Sequence, residues 1–169
     1  MQTKPHLPIT LIIIAVIVII VALFLPTQGL SKAPNISLHY IDGQKVDFDS
    51  FKGNPLLVTF WSTTCATCIK EMPHLVTLYE ELNKDGLQVV GIAMPYDPPN
   101  IVVEISEKIN VSYPIALDVE GVAMKAFGNV SVTPTSFLID ANGNIVQQKT
   151  GAMNIKQLKI KVKELLATP

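Results

Sequence analysis

The sequence predicts an α/β domain with a central mixed sheet flanked by helices, preceded by an N-terminal transmembrane helix. Three observations lead to this prediction. An uncharged apolar run fills residues 7–25, strand patterns alternate with helical spacing after residue 35, and the two cysteines lie where a strand pattern gives way to a helical one.

Length and composition exclude several classes of protein. The chain has 169 residues, enough for one domain and an appendage, and its formal net charge of -1 predicts no nucleic-acid partner. Its 2 cysteines, Cys65 and Cys68, would close almost no loop as a structural crosslink. They are therefore a redox pair, half of a metal site, or a coincidence.

Residues 7–25 are predicted to be a retained membrane anchor. As a helix, this run would span roughly 28 Å, close to the ~30 Å hydrocarbon core of a bilayer. A cleaved signal peptide is the main alternative and a buried core helix a minor one. The apolar region of a signal peptide is usually about 7–15 residues long and ends in a small-x-small site, and residues 26–33 contain no good site of this kind.

The charges that flank the anchor predict its orientation. Lys4 precedes the run and Lys32 follows it at a greater distance, which favours a cytoplasmic N-terminus and an exported C-terminal domain. We therefore divide the chain into a cytoplasmic N-terminus (1–6), a transmembrane anchor (7–25), a linker (26–34) and a globular domain (35–169).

The first half of the globular domain begins with a hairpin. Residues 36–40 alternate as a strand, Asp42-Gly43 is a turn signal, and residues 45–48 are the return strand. The apolar run LLVTFW at 56–61 predicts a strand buried on both faces. Helical spacing follows over 65–83, and Gly86 is the predicted stop.

The second half continues the alternation of strands and helices. Strands are predicted at 87–93, 113–117, 135–139 and 145–149, and helices at 100–109, 121–127 and 154–166, the last capped by Asn154. This order predicts an open sheet with helices on both faces. Such sheets place their sites beyond the carboxyl ends of the strands, where Cys65-Ala66-Thr67-Cys68 falls.

The position of the cysteines predicts thiol chemistry. The N-terminus of a helix carries unpaired N–H groups and a partial positive charge, so Cys65 should ionise easily and act as the nucleophile. Cys68 lies one turn deeper on the same face and can resolve a mixed disulfide. A zinc site would need two more Cys or His ligands, and the chain has only His6, His39 and His74. An inert structural pair is the other alternative.

The segment 60–73, FWSTTCATCIKEMP, resembles the active-site segment of thioredoxin-like proteins, and most closely that of the membrane-anchored TlpA/ResA group. A distant Thr133-Pro134-Thr135, followed by an apolar strand and an Ala-Asn-Gly-Asn turn, extends the resemblance from about residue 36 to the C-terminus. The resemblance implies a thioredoxin-like fold with an N-terminal β-hairpin and an inserted helix and strand.

The resemblance also implies roles for individual residues. Pro134 would follow a cis peptide bond and face the cysteines, with the backbone of Thr133 free to pair with a substrate chain. Glu71 would move protons beneath the cysteines, or else be an exposed helix carboxylate. Trp61 would pack beside the motif and contact substrate, or else be a core aromatic.

Some positions depart from ordinary thioredoxins. Thr59 replaces a buried aspartate, Thr64 replaces the tryptophan before the first cysteine, and Ala66-Thr67 replaces Gly-Pro. Residues 97–117 resemble the insertion of the TlpA/ResA group, while residues 95–99 carry no predicted role. The departures leave the direction of the redox reaction open.

The expected function is a thiol–disulfide oxidoreductase of the protein-disulfide reductase type, anchored in the bacterial cytoplasmic membrane with its domain on the periplasmic side. The resemblance implies an exported disulfide-containing protein as substrate, as in cytochrome c maturation, and a transmembrane thiol electron donor. No cofactor beyond the Cys65–Cys68 pair is expected. The alternatives are a thiol oxidase or isomerase, and a copper-handling module of the Sco type, which would need a histidine far downstream that the chain lacks after His74.

Overall fold

A computed structural model describes residue 11 and residues 14–16 and 31–167 of the chain. The chain forms two compact units, residues 1–30 and 31–169. Most of the predicted anchor lies outside the described residues, as do residues 1–6 and 26–30. Leu11 and residues 14–16 are helical. Within the described parts of the chain, no helix combines the length and apolar character that crossing a membrane requires.

The second unit contains seven strands and four α-helices among its described residues. The strands are β1 (Ser37–Tyr40), β2 (Lys45–Asp47), β3 (Leu56–Trp61), β4 (Gln88–Ala93), β5 (Ile115–Leu117), β6 (Thr135–Ile139) and β7 (Ile145–Thr150). The helices are α1 (Ala66–Leu82), α2 (Pro99–Ile109), α3 (Val122–Ala126) and α4 (Ile155–Leu166). Short 3-10 helices cover Phe48–Phe51 and Asn83–Asp85.

The strands form one mixed sheet in the order β2-β1-β5-β4-β3-β6-β7. β3 pairs in parallel with β4, and β4 with β5, whereas the remaining pairs are antiparallel. The predicted N-terminal hairpin is present as β1 and β2. The mixed α/β sheet is therefore confirmed, and β3 lies near its centre with both faces buried.

Alternate residues of the central strands face two separate cores. On one face, Leu57 and Trp61 of β3 belong to a cluster with buried residues of α1, α2 and α4. On the other face, Val58 and Phe60 pack in a cluster that includes Phe127, which follows α3. Helices cover both faces, as predicted.

The element bounds differ from the predicted ones mainly at their ends. α1 begins at Ala66 rather than Cys65, because Cys65 is its N-cap, with extended backbone. The predicted strand 113–117 shortens to Ile115–Leu117 after Pro114, which has no N–H for a strand ladder. Gly86, at φ +114°, ends the turn after α1 and confirms the predicted stop.

Candidate active site

The two cysteines lie at the junction between β3 and α1. Cys65 and Cys68 form a disulfide, with 5.3 Å between their Cα atoms. The Cys68 N–H donates to Cys65 Sγ over 3.2 Å, so the sulfur occupies the place of an N-cap acceptor. In the reduced protein, the same N–H and the helix dipole would stabilise a Cys65 thiolate.

The two cysteines differ in their exposure to solvent. Cys68 is buried at 2% exposure, whereas Cys65 is partly exposed. A partner disulfide can therefore approach Cys65 more easily than Cys68. This difference supports the predicted division of labour, in which Cys65 exchanges with the substrate and Cys68 resolves.

The loop before β6 faces Cys65. The Thr133–Pro134 peptide bond is cis, which confirms the prediction for this bond. The Thr133 carbonyl oxygen lies 3.5 Å from Cys65 Sγ. Thr135 Oγ1 donates to the Val132 carbonyl over 2.7 Å and closes the loop. The structure thus brings Thr133 and Pro134 to the disulfide, although their contacts with a substrate remain predictions.

Glu71 is a buried carboxylate one turn beyond Cys68. Its side chain is 5% exposed, so the alternative of an exposed helix carboxylate is wrong. Its Oε1 accepts a 2.6 Å hydrogen bond from the N–H of Met153, just before α4. Burial raises the pKa of the Glu71 carboxyl, while the Met153 bond and the charge of the exposed His74 act in the opposite direction. A group with such a raised pKa is suited to proton transfer.

Trp61 and Tyr113 are buried in the same core cluster as Cys68. Trp61 is 1% exposed and Tyr113 3%, and Trp61 Nε1 and Tyr113 Oη have no hydrogen-bond partner among the described residues. Burial, and secondarily the charge of Glu71, raise the pKa of the Tyr113 hydroxyl. Trp61 therefore packs beneath the site in the core, and its direct contact with a substrate stays a prediction.

Thr59 occupies the strand position where ordinary thioredoxins carry an aspartate. It is buried at 3% exposure, and its Oγ1 accepts from Ser136 Oγ over 2.9 Å. A pair of neutral hydroxyls thus replaces a charge at this position of β3. Glu71 is consequently the buried carboxylate that the structure places next to Cys68 along α1.

Asp97 has no role predicted from the sequence, but in the structure it is hydrogen-bonded to the loop before Cys65. Its carboxylate accepts hydrogen bonds from Ser62 Oγ (3.0 Å), Thr63 Oγ1 (2.6 Å) and the Thr63 N–H (3.2 Å). Its position offered one indication, because Asp97 follows the carboxyl end of a buried parallel strand, where open α/β sheets place their functional sites. The partners, however, are 34 and 35 positions away, and no local pattern identifies them.

Comparison with known proteins agrees with this geometry. The Redoxin family profile matches residues 29–166, the whole span from the linker to α4. The chain belongs to the Redoxin family. Among curated relatives, the thiol–disulfide oxidoreductase ResA of Bacillus thuringiensis subsp. konkukian is 33% identical over 135 residues, covering 79% of this chain and 76% of the relative.

Solved structures show the same fold. A thioredoxin-family thiol:disulfide interchange protein from Chlorobium tepidum TLS superposes with a TM-score of 0.74 at 28% identity, covering 81% of this chain and 97% of that one. StoA from Bacillus subtilis gives 0.66 at 27% identity, with 76% and 96% covered. This Redoxin-family chain is a ResA-like thiol–disulfide oxidoreductase with a thioredoxin-like fold.

Proposed function

We propose that this protein reduces disulfides in exported proteins, with cytochrome c maturation as one setting. The observation that carries the proposal is the Cys65–Cys68 disulfide, in which the sulfur of the partly exposed Cys65 lies 3.5 Å from the Thr133 carbonyl oxygen and the buried Cys68 precedes Glu71 by one helical turn. An extended substrate chain can pair with the backbone of Thr133 while its disulfide meets Cys65. Trp61 would support this contact from below.

The exchange begins with the reduced pair. The Cys65 thiolate attacks one sulfur of the substrate disulfide, a mixed disulfide forms, and the other substrate sulfur leaves as a thiolate that takes up a proton. The Cys68 thiol then loses its proton to the Glu71 carboxylate and attacks Cys65 Sγ. The second substrate thiolate leaves, so two electrons pass from the cysteine pair to the substrate.

A reductant must then restore the pair. Exported compartments are oxidising, so a reductase in such a compartment needs electrons from the cytoplasm, and a transmembrane thiol donor can supply them. No cofactor is needed, because both electrons reside on the two sulfurs. We assign residues 7–25 as the anchor that holds the domain on the periplasmic side of the bacterial cytoplasmic membrane.

Trapping of the mixed disulfide tests the substrate assignment. In cells that express the full chain with Cys68→Ala, Cys65 should accumulate exported proteins bound through reducible crosslinks. The Cys65→Ala/Cys68→Ala chain is the matched control, which should capture none. If the two chains retain the same proteins, or if only cytoplasmic proteins are trapped, the proposal is wrong.

The redox direction needs a separate measurement. The equilibrium of the pair with a glutathione buffer should give a potential more negative than the roughly -180 mV of protein disulfide isomerase. A potential at or above that value would favour the oxidase or isomerase alternative.

Membrane fractionation tests the anchor. The full chain should stay in the membrane pellet after alkaline carbonate extraction, whereas a chain that begins at Ser31 should be released. If both chains behave alike, residues 7–25 are not an anchor.

A further inference from the structure

The Asp97 carboxylate is buried between the end of β4 and the loop that leads to Cys65. It is 7% exposed, and its two oxygens accept three hydrogen bonds from Ser62 and Thr63. Asp97 is itself held by its N–H, which donates to the Met94 carbonyl over 3.0 Å. The carboxylate therefore connects two neighbouring strand ends of the sheet.

The residues that Asp97 holds form the turn before the nucleophile. Ser62 Oγ accepts from the Thr64 N–H over 3.3 Å, and the Ser62 carbonyl accepts from the Cys65 N–H over 3.1 Å. Ser62 thus connects Asp97 directly to the backbone of Cys65. A rotation of this turn would move Cys65 relative to the Thr133 carbonyl, 3.5 Å from its sulfur.

The carboxylate also places a negative charge near the cysteine pair. Thr63, which donates to Asp97 through its N–H and its hydroxyl, precedes Cys65 by two residues. A negative charge held against the loop that leads to Cys65 disfavours its thiolate, and the buried surroundings of Asp97 screen that charge less than water would. A less stable thiolate makes the reduced pair a stronger electron donor.

We propose that Asp97 is a positioning residue for disulfide exchange. It fixes the turn of residues 62–64, which sets the position of Cys65 relative to the Thr133 carbonyl, and its charge favours the oxidised pair. Residues 95–99 thereby acquire a function, since they carry this carboxylate to the site. The proposal rests on thiol–disulfide exchange alone and not on the direction of electron flow or on the identity of a substrate.

The Asp97→Asn variant removes the charge with little change in shape: the amide oxygen can still accept from Ser62 Oγ and Thr63 Oγ1, whereas the amide nitrogen cannot accept from the Thr63 N–H. In a glutathione redox buffer at pH 7, we expect the equilibrium between the oxidised and reduced pair to shift about tenfold toward the reduced form in this variant. For a two-electron couple, tenfold corresponds to a potential about 30 mV less negative. A merely structural role for Asp97 would lower the melting temperature without shifting this equilibrium.

Asp118→Asn is the matched control. Asp118 is also 7% exposed, but its oxygens accept from the N–H groups of Ala123 and Met124. Its substitution should leave the redox equilibrium within twofold of the wild type. If Asp97→Asn stays within the same twofold range, the electrostatic part of the proposal is overturned.

The Thr63→Val variant tests positioning, because it removes the 2.6 Å hydrogen bond but keeps the carboxylate. We expect the rate constant for reduction of oxidised glutathione by the reduced protein to fall at least threefold, with the redox equilibrium moving less than twofold. A rate constant equal to that of the wild type would overturn the positioning part.

Discussion

At the scale of single residues, the site depends on where Glu71 and Tyr113 place their polar atoms inside an apolar core. Glu71 has one hydrogen bond that the structure specifies, from Met153, and Tyr113 has none for its hydroxyl among the described residues. Buried polar groups with few partners are costly to stability and are commonly retained for function. Substitution of either side chain therefore tests whether its buried polar group lowers the stability of the fold.

Glu71→Gln should change how stability depends on pH. Because burial raises the folded-state pKa of Glu71, its contribution to stability is complete below the unfolded-state pKa of about 4.3 and is lost as the pH rises through the folded-state pKa. Glutamine does not titrate and can still accept the Met153 bond. The oxidised variant should thus be more stable than the wild type at pH 7.5, and the difference should shrink at pH 3.5.

Urea unfolding at both pH values measures this difference, with the exposed Glu120→Gln as control. Equal stabilities of wild type and Glu71→Gln at pH 7.5 would show that the buried carboxylate is not destabilising. In addition, Glu71→Gln in the chain with both cysteines should slow the release of substrate from its mixed disulfide with Cys65, because Cys68 loses its proton acceptor.

Tyr113→Phe should leave stability unchanged or raise it by up to about 1 kcal/mol, because it removes a buried hydroxyl that lacks a partner. Tyr96→Phe is the control, since Tyr96 is 62% exposed. Urea unfolding of both variants provides the comparison. A loss of more than 1 kcal/mol for Tyr113→Phe alone would reveal a partner for the hydroxyl, such as a buried water.

Single residues also show how far the sequence could predict the site. The redox pair Cys65 and Cys68 could be predicted from its place between a strand and a helix, whereas the cis bond before Pro134 followed only from the family resemblance. The burial of Glu71 and the contacts of Asp97 could not be derived from local patterns, because both depend on partners more than 30 positions away.

At the scale of elements, β4 packs so closely against its neighbours that one position excludes a side chain. A Cβ on Gly91 would lie 2.7 Å from Ile115 Cδ1 and 3.4 Å from Trp61 Nε1. Gly91 pairs with Thr59 of β3 and Ile115 of β5, so it connects the two parallel strand pairs. Periodicity predicted that β4 exists, but it could not predict this contact, because β5 pairs with β4 only in the folded sheet.

Gly91→Ala should cost about 1–3 kcal/mol in unfolding free energy, because the core would become overpacked. The double variant Gly91→Ala/Ile115→Val removes the methyl group that the new Cβ meets and should recover part of the loss. Chemical denaturation of the two single variants and the double variant gives the coupling energy. Strict additivity would contradict the predicted contact.

At the scale of the whole molecule, the sheet separates a core that carries the site from one that does not. Phe127 packs edge-on or tilted against Phe48, Phe60 and Phe137, with centroids 5.7, 5.4 and 4.8 Å away. Trp61 and Cys68 belong to the core on the other face. The alternation of strands and helices predicted covered faces, but the order of the strands in the sheet required the structure, because β1 pairs with the distant β5.

Phe127→Ala should therefore lower stability by about 3–5 kcal/mol while the redox equilibrium of the folded protein stays unchanged. Val119→Ala, at a residue 64% exposed, should change stability by no more than about 0.5 kcal/mol. Denaturation and glutathione equilibration report the two properties separately. A redox shift in Phe127→Ala would show that the two cores are coupled.

The ionisation of Cys65 is the property on which the exchange mechanism depends. It is measured most directly by the rate of alkylation with iodoacetamide between pH 4 and 10, on the reduced chain and on Cys68→Ala, with the urea-unfolded chain as reference. We predict that Cys65 in the folded protein titrates below the roughly 8.5 of a free cysteine. Folded and unfolded chains that titrate at the same pH would contradict the account.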